Sequence, residues 1–241
     1  MTAFEYSPGL SIQGFNAPLS LSQFKLIAFD MDSTLISIEC IDEIADAVGR
    51  KADVAAITEA AMRGEITDFR DSLRRRLALL KGVTVADMER VYTERLKINP
   101  GATELIDACH KADLKVLLVS GGFTFFADRV KARLRIDFAR SNQLELADGE
   151  LTGGLVMQPW GDICDGAEKR RTVLEVASLL GITPRECIAM GDGANDLPMM
   201  KACAEAGGLS VAYHAKPKVR EQAMVAINKG GLDRLLEVIR P

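Results

Sequence analysis

Three apolar runs of strand length, each ending in acidic or glycine residues, constrain the fold of this chain more than any other feature. They are LIAFD (26–30), VLLVSGG (116–122) and CIAMGDG (187–193). Segments with the apolar period of a helix separate them, among them 101–112 and 168–180. Apolar strands that alternate with helices predict an α/β fold, namely a doubly wound, mostly parallel sheet with helices on both faces.

Two further runs, 208–215 and 224–228, are weaker candidates for strands of the same sheet. The binding sites of parallel α/β sheets lie beyond the carboxyl ends of the strands. We therefore expect the polar residues that close these runs to collect at one edge of the sheet.

Two segments interrupt the alternation of strands and helices. Residues 38–97 have a helical apolar period, and residues 142–157 alternate around Asp148-Gly149, which is a strong signal for a β-hairpin. The N-terminal residues show no clear period, so we predict a loosely structured extension there. We predict an N-terminal extension (1–24), a core in two segments (25–37 and 98–241) and an inserted helical domain (38–97).

Composition and charge exclude several classes of protein. The 241 residues carry a formal net charge of −4, whereas nucleic acids and membrane surfaces select basic faces. No apolar run reaches the roughly 18 residues of a membrane span, and the N-terminus lacks the apolar core of a secretory signal. The five cysteines lie far apart without a C-x-x-C pair, so we expect neither a zinc site nor a disulfide framework. Reduced thiols favour a cytoplasmic protein. The acidic net charge favours a protein without nucleic-acid or membrane partners.

The strand ends carry four acidic residues. Asp30 and Asp32 lie in FDMDST just past the first strand, and Asp192 and Asp196 lie in GDGAND past the third. Carboxylates that meet in one crevice repel each other, so a bound cation is needed to stabilise their ionised forms. Oxygen ligands that include few carboxylates suit Mg²⁺, which keeps several waters and binds phosphate oxygens. The pattern therefore predicts a magnesium site at this edge of the sheet.

Groups that suit a phosphate are present as well. Ser120-Gly121-Gly122 closes the second strand, where a hydroxyl and exposed backbone N–H groups can cradle an anion. Lys169 opens a later helix and could neutralise a transferring phosphoryl group. A metal, a lysine and backbone donors together supply the charge stabilisation that phosphoryl transfer needs.

Four motifs of this chain resemble those of the haloacid dehalogenase superfamily of phosphatases. They are FDMDST, VSGG, Lys169 and GDGAND, in this order, and the similarity covers roughly residues 25–230. The segments STLISIECIDEIA, SLRRR and SGGF are most similar to the members of the superfamily that act on phosphoserine. The resemblance implies a doubly wound α/β core, a helical cap inserted after the first strand, and Mg²⁺-dependent hydrolysis of a phosphate ester.

The same resemblance implies roles for the core residues. Asp30 would be the nucleophile and a metal ligand, and Asp32 would protonate the leaving oxygen and then activate water. The backbone carbonyl of Asp32 and the side chain of Asp192 would complete the protein's share of the Mg²⁺ shell. Asp196 would orient these ligands or Lys169. Four residues would hold the phosphate: Ser120, Gly121, Lys169 and Asn195.

The resemblance also implies substrate contacts in the cap. Glu39 would pair with the substrate ammonium and Arg76 with its carboxylate, while Met62 and Phe69 would line an apolar wall. Simpler explanations stay open at this point. Glu39 would suit the first turn of a helix, Arg76 is one of three adjacent arginines, and Asn195 would suit a helix cap.

The function that these assignments imply is hydrolysis of O-phosphoserine to serine and phosphate through an aspartyl phosphate. That reaction is the last step of serine biosynthesis, and we expect a monomer or a homodimer. The short extension would leave no room for the N-terminal regulatory domain of some relatives.

Two alternatives stay open. A phosphatase or phosphotransferase for another small phosphorylated metabolite would share the first half of the reaction. A non-enzymatic signalling receiver would also carry a phosphorylated Asp near Mg²⁺. The long insert speaks against the receiver, as does Asp32, which would remove the phosphate quickly.

Overall fold

An eight-stranded sheet lies at the centre of the molecule. The computed structural model describes residues 3–240, apart from the side chain of Met62. In spatial order the strands are β1 (Phe4–Ser7), β2 (Leu10–Ile12), β11 (Val225–Ile227), β10 (Leu209–Tyr213), β9 (Cys187–Gly191), β4 (Leu26–Phe29), β5 (Lys115–Phe123) and β6 (Phe138–Asn142). The six strands from β11 to β6 run parallel to one another, and β2 and β1 continue the sheet antiparallel at one edge.

Helices cover both faces of this sheet. The α-helices of residues 3–240 are α1 (Cys40–Ala47), α2 (Lys51–Met62), α3 (Phe69–Ala78), α4 (Val85–Glu94), α5 (Ala102–Lys111), α6 (Thr124–Leu134), α7 (Gly166–Leu179), α8 (Leu197–Glu205) and α9 (Pro217–Arg220). Helices α5 and α6 pack on one face of the sheet, and α7 and α8 pack on the other. None of these helices, in the range 3–240, has the length and apolarity that a membrane crossing requires.

Alternate side chains of β4 belong to two separate cores. Ile27 and Phe29 pack with α5 and α6 on one face, and Leu26 and Ala28 pack with α7 and α8 on the other. All four side chains are fully buried, which is why the run contains no polar residue. The predicted doubly wound, mostly parallel α/β sheet is confirmed.

Four helices, α1 to α4, lie between β4 and β5, where the helical period predicted an insert; we call them the cap. The apolar period of this segment corresponds in α1 to the buried residues Ile41, Ile44 and Ala45. A capping box between Thr84 and Asp87 fixes the start of α4. The insert is therefore helical as predicted, and its status as a separate domain stays a prediction.

The predicted β-hairpin is confirmed. It consists of β7 (Leu144–Ala147) and β8 (Glu150–Leu155), which pair antiparallel. Both turn residues have positive φ, 53° at Asp148 and 82° at Gly149. Two successive positive φ angles are typical of the two-residue turn that Asp-Gly favours.

The hairpin binds the cap through its backbone. Gly82 N–H donates to the carbonyl of Leu151, and Leu151 N–H donates to the carbonyl of Val83, both at 2.8 Å. Gly153 lies against α3, where a Cβ would come 3.2 Å from Cα of Ala78. The hairpin thus joins the end of α3 and the loop before α4 to the core.

The prediction that the N-terminal segment is loosely structured is wrong. β2 pairs antiparallel with β11 and so extends the central sheet, while β3 (Leu19–Ser20) pairs with β12 (Ile239–Arg240). Leu10 and Ile12 of β2 are buried in the main core. Two buried positions on a three-residue strand form too short an alternation to detect, and the partner strand lies near the other end of the chain.

We expect Leu10→Ala to lower the free energy of unfolding by about 2–5 kcal/mol, because the truncation leaves a cavity under the N-terminal strand. Equilibrium unfolding in urea measures the change. Leu179→Ala is the matched control, since this leucine of α7 is 73% exposed and its truncation should change stability by less than about 0.5 kcal/mol. A Leu10→Ala midpoint equal to that of the wild type would show that β2 lies outside the cooperative core.

Candidate active site

The carboxyl ends of the central strands open into a cleft of about 660 Å³ that core and cap residues line together. This volume suits a small-molecule ligand. Asp30 follows β4, Asp192 follows β9, and Ser120 lies near the carboxyl end of β5, so the predicted edge of the sheet brings them together. Nine of the predicted site residues line the cleft: Asp30, Asp32, Glu39, Phe69, Arg76, Ser120, Gly121, Asp192 and Asn195.

The turn after β4 fixes the position of Asp30. The backbone N–H of Asp30 donates to the carbonyl of Met190 in β9 (2.9 Å), and its carboxylate accepts the N–H of Met31 (2.8 Å). Ser33 then takes a positive φ of 58°, which turns the chain toward α1. Asp30 is almost fully buried, at the wall of the cleft.

Lys169 is a buried cation behind Asp30. Its ammonium lies 2.6 Å from Oδ1 of Asp30 and 2.6 Å from Oδ1 of Asp196, and its side chain has no exposed surface. Burial alone would lower the pKa of the ammonium, but Asp196 and Asp30 outweigh burial and raise the pKa. Burial and the charge of Asp196 raise the pKa of Asp30 well above its usual range, although Lys169 opposes the shift. Lys169 therefore stays charged and compensates part of the negative charge around it.

Backbone donors hold Asp196 in place. Its Oδ2 accepts the N–H groups of Asp192 (3.1 Å) and Gly193 (2.9 Å), while its Oδ1 accepts Lys169. Gly191 makes room for this carboxylate, since a Cβ there would lie 2.3 Å from Cγ of Asp196. These contacts suit the orienting role predicted for Asp196.

Three carboxylates lie close enough together to hold a metal ion. One oxygen from each of Asp30, Asp192 and Asp196 lies within 4.8 Å of the others. Burial, Asp196 and Glu39 raise the pKa of Asp192 to about 7. Like charges so close together disfavour ionisation, and a bound cation would stabilise the ionised cluster. The donor set therefore fits a metal ion that prefers oxygen ligands.

Residues 120–122 lie near the end of β5, where the register with β6 shifts; we call this irregular segment the loop of β5. It lacks side chains where it approaches the acids. Ser120 Oγ accepts the N–H of Gly122 (2.9 Å). A Cβ on Gly122 would lie 2.8 Å from Cε of Met31 and 3.1 Å from Oδ2 of Asp32. A side chain at this position would have to displace the end of the Met31 side chain, so glycine suits the point where β5 packs against the acidic motif.

Asp32 lies half-buried on the cleft wall and contacts the start of the cap. Its Oδ1 accepts the thiol of Cys40 (3.1 Å), and its Oδ2 accepts the backbone N–H of Cys40 (3.4 Å). Burial and the nearby charge of Glu39 raise the pKa of Asp32 to about 7, against the two hydrogen bonds, which lower it. A carboxyl group with this pKa can give up a proton and take one near neutral pH.

Glu39 and Arg76 both reach the cleft from the cap. Glu39 Oε1 accepts the hydroxyl of Ser33 (2.6 Å). Arg76 is half-buried, and its Nε lies 3.4 Å from the carbonyl oxygen of Ser72. Burial lowers the pKa of the guanidinium, although the charges of Asp42 and Glu39 oppose this shift. A carboxylate and a guanidinium therefore line the same cleft as Asp30 and Asp192.

Phe69 lies over the loop of β5, and the apolar wall assigned to it stays a prediction. Its Cζ would be 3.5 Å from a Cβ on Gly121. The predicted contact of Met62 lies outside the described residues, since its side chain is not described.

Ion pairs also join α3 to the loop before α7. Arg70 Nε lies 2.7 Å from Oδ2 of Asp165, and an amino group of Arg74 lies 2.6 Å from Oδ2 of Asp162. Asp165 is also the N-cap of α7, because its carboxylate accepts the N–H of Glu168. The start of the helix that carries the buried lysine is thus linked directly to the cap.

The sequence did not predict Asn142, Lys216 or the Cys40 contact. The Asn142 amide donates to the carbonyl of Gly121 (2.7 Å) and accepts the N–H of Cys164 (2.7 Å), so it holds the loop of β5 from behind. Lys216 lines the cleft, and its N–H donates to the carbonyl of Asp192 (3.2 Å). Its position just past the weaker strand candidate at 208–215 was the available signal for Lys216.

Comparisons with known proteins identify the family of this chain. The model of the haloacid dehalogenase-like hydrolase family matches residues 27–201. A phosphoserine phosphatase of a Polaromonas species is 69% identical over 240 residues, which cover 100% of both chains. A phosphoserine phosphatase of Idiomarina loihiensis is 47% identical over 89% of this chain and 93% of its own. The structure of a substrate-bound phosphoserine phosphatase complex has a TM-score of 0.80 and 36% identity, covering 90% of this chain and 99% of that chain.

We expect Lys169→Met to lower the free energy of unfolding by about 3–5 kcal/mol in the presence of a chelator, because two buried carboxylates lose their cation. Chemical unfolding monitored by circular dichroism measures the change. Lys201→Met is the matched control, since Lys201 is an exposed residue of α8 and its loss should cost less than about 0.5 kcal/mol. Equal stability of the two variants would contradict a structural role for the ion pairs of Lys169.

Proposed function

Because the chain belongs to the haloacid dehalogenase-like hydrolases, we propose that it hydrolyses O-phosphoserine to serine and phosphate with Mg²⁺ as its cofactor. Relatives that match 98–100% of this chain are phosphoserine phosphatases. One observation carries the proposal. A single cleft combines the acid cluster around Asp30 with a carboxylate and a guanidinium, Glu39 and Arg76, that suit the two charges of an amino acid.

Asp30 is the proposed nucleophile. Its contacts with the Lys169 ammonium and the Met31 N–H both fall on Oδ1, so Oδ2 is the oxygen assigned to attack phosphorus. In the first step a bond forms between Oδ2 and phosphorus while the ester bond to the serine oxygen breaks. The electron pair of that bond goes to the serine oxygen. The product on the enzyme is an aspartyl phosphate, which splits one difficult step into two easier ones.

Asp32 is the proposed acid and base. With a pKa of about 7, its carboxyl group holds a proton in a large share of molecules at neutral pH and gives it to the leaving serine oxygen. The resulting carboxylate then takes a proton from the water that attacks the aspartyl phosphate, which frees phosphate and restores Asp30. Such proton transfers contribute roughly 10²–10⁴-fold to a rate, so charge stabilisation must supply the rest.

Four residues of the core are proposed to hold the phosphoryl group: Ser120, Gly121, Lys169 and Asn195. Lys169 supplies a full positive charge, and the loop of β5 supplies a hydroxyl and backbone N–H donors. Asn142 fixes that loop through its bond to the carbonyl of Gly121. Fixed donors need no reorganisation when charge develops in the transition state.

The carboxylates of Asp30 and Asp192 and the backbone carbonyl of Asp32 are the proposed magnesium ligands. Asp196 is assigned an orienting role instead, since its oxygens accept Lys169 and two backbone N–H groups. When bound, Mg²⁺ neutralises charge on the phosphoryl oxygens.

The cap is proposed to select the amino acid. Glu39 would bind the substrate ammonium, Arg76 its carboxylate, and Phe69 and Met62 would form the apolar wall. Closure of this wall over the substrate would exclude water that does not take part in the reaction. We place the reaction at the end of serine biosynthesis in the cytoplasm, where the five unpaired thiols would stay reduced.

We expect Asp30→Asn to reduce phosphate release from O-phosphoserine by roughly 10³-fold or more, because the amide is not a nucleophile. Chelation of the wild type with EDTA should also abolish release, and added Mg²⁺ should restore it. Colorimetric detection of phosphate measures both effects. Asp53→Asn, at an exposed position of α2, is the control and should match the wild type. Full activity in EDTA would contradict the assigned cofactor.

We expect Arg76→Ala to lower kcat/KM for O-phosphoserine by roughly 10- to 100-fold, as the loss of a charge-assisted hydrogen bond predicts. Turnover of p-nitrophenyl phosphate, which has no carboxylate beside the ester, should change little. Arg75→Ala is the matched control, since Arg75 pairs with Asp71 on the helix surface. An equal loss on both substrates would remove Arg76 from the selectivity residues, and strong turnover of another phosphorylated metabolite would correct the substrate.

A further inference from the structure

Cys40 contacts both carboxylate oxygens of Asp32. It is the first residue of α1 and is completely buried. Its Sγ lies 3.1 Å from Oδ1, and its backbone nitrogen lies 3.4 Å from Oδ2. One residue of the cap therefore contacts both oxygens of a carboxyl group that belongs to the core.

The start of α1 explains why this contact exists. Glu39 occupies the N-cap position but makes no capping bond with its side chain, which instead accepts the Ser33 hydroxyl. The first N–H groups of a helix need acceptors from outside the helix. Asp32 provides one of them from eight positions earlier in the chain.

We propose that Cys40 is a positioning residue for the acid–base chemistry of Asp32, with its thiol holding the carboxyl group in the orientation that proton transfer requires. This inference rests on the proposed function. An ordinary thiol is protonated at neutral pH and is a weak donor, and this one faces the carboxylate at hydrogen-bonding distance. The thiol keeps its proton throughout the reaction.

The thiol acts at a defined moment of the first step. As the ester bond breaks, the leaving oxygen takes a proton from Asp32, and the carboxylate that forms accepts the Cys40 thiol and N–H. Loss of the thiol would leave the N–H as the single Cys40 donor and allow the carboxyl group to rotate. The effect should grow with the basicity of the leaving oxygen, because a basic leaving group needs the proton more.

Two aryl phosphates test this inference without involving the amino-acid contacts of Glu39 and Arg76. In the Mg²⁺-loaded enzyme, kcat/KM covers the steps up to departure of the phenol. For p-nitrophenyl phosphate, whose phenol leaves readily, Cys40→Ala should change kcat/KM little. For phenyl phosphate we expect a loss of roughly tenfold, a small part of what a general acid supplies. Cys40→Ser, whose hydroxyl also donates, should restore most of the difference.

Cys109→Ala is the control for cavity formation, since Cys109 is an equally buried thiol in α5. It should leave the ratio of the two kcat/KM values unchanged. The role of Cys40 would be overturned if the Cys40→Ala enzyme had the same ratio as the wild type. It would also be overturned if the Cys40→Ser enzyme were folded by circular dichroism but kept the altered ratio. A wild type that releases no phosphate from O-phosphoserine or from either aryl ester would instead overturn the proposed function.

Discussion

The buried ion pairs of Lys169 with Asp30 and Asp196 are the constraint on which the rest of the structure depends. Removing these charges from water is costly unless geometry and further hydrogen bonds compensate them. The compensation comes from three elements that must meet within hydrogen-bonding distance, namely β4, β9 and α7. Because β4 and β9 are adjacent and parallel, with Phe29 opposite Met190, their carboxyl ends deliver the acids to one point. The arrangement of β4, β9 and α7 that compensates the buried charges is therefore the same arrangement that assembles the site.

The cap is attached to the core in two physically different ways. On one side the hairpin exchanges backbone hydrogen bonds with the loop at Val83, which hold the cap without exposed charges. On the other side Arg70 and Arg74 pair with acids of the loop before α7, and their side chains are 43% and 55% exposed. Exposed ion pairs contribute at most about 1 kcal/mol each and weaken with salt. The attachment at the hairpin is thus the firmer of the two.

The sequence predicted those features that depend on short-range patterns. The strands before Asp30 and Asp192 are continuous apolar runs, and the Asp148-Gly149 turn requires two positive φ angles that this pair favours. Features that depend on distant partners were not predictable. β2 is recognisable only beside β11, and Asn142 only through its bonds to residues on two other segments. The three adjacent arginines of α3 likewise became distinct only when the helix was packed, because successive helical positions point in different directions.

The contact between Asp32 and α1 would link substrate recognition to proton transfer in the proposed reaction. Asp32 lies in the core loop, Cys40 begins the first cap helix, and Glu39 lies between them and accepts the Ser33 hydroxyl. An ammonium bound at Glu39 would lie on the same hydrogen-bonded segment that orients the Asp32 carboxyl group. Seating of α1 would then set the amino-acid contact and the acid together, so that a substrate held by its ammonium meets an acid that is already oriented. The segment from Asp32 to Cys40 would in this way align both the substrate and the acid of the proposed reaction.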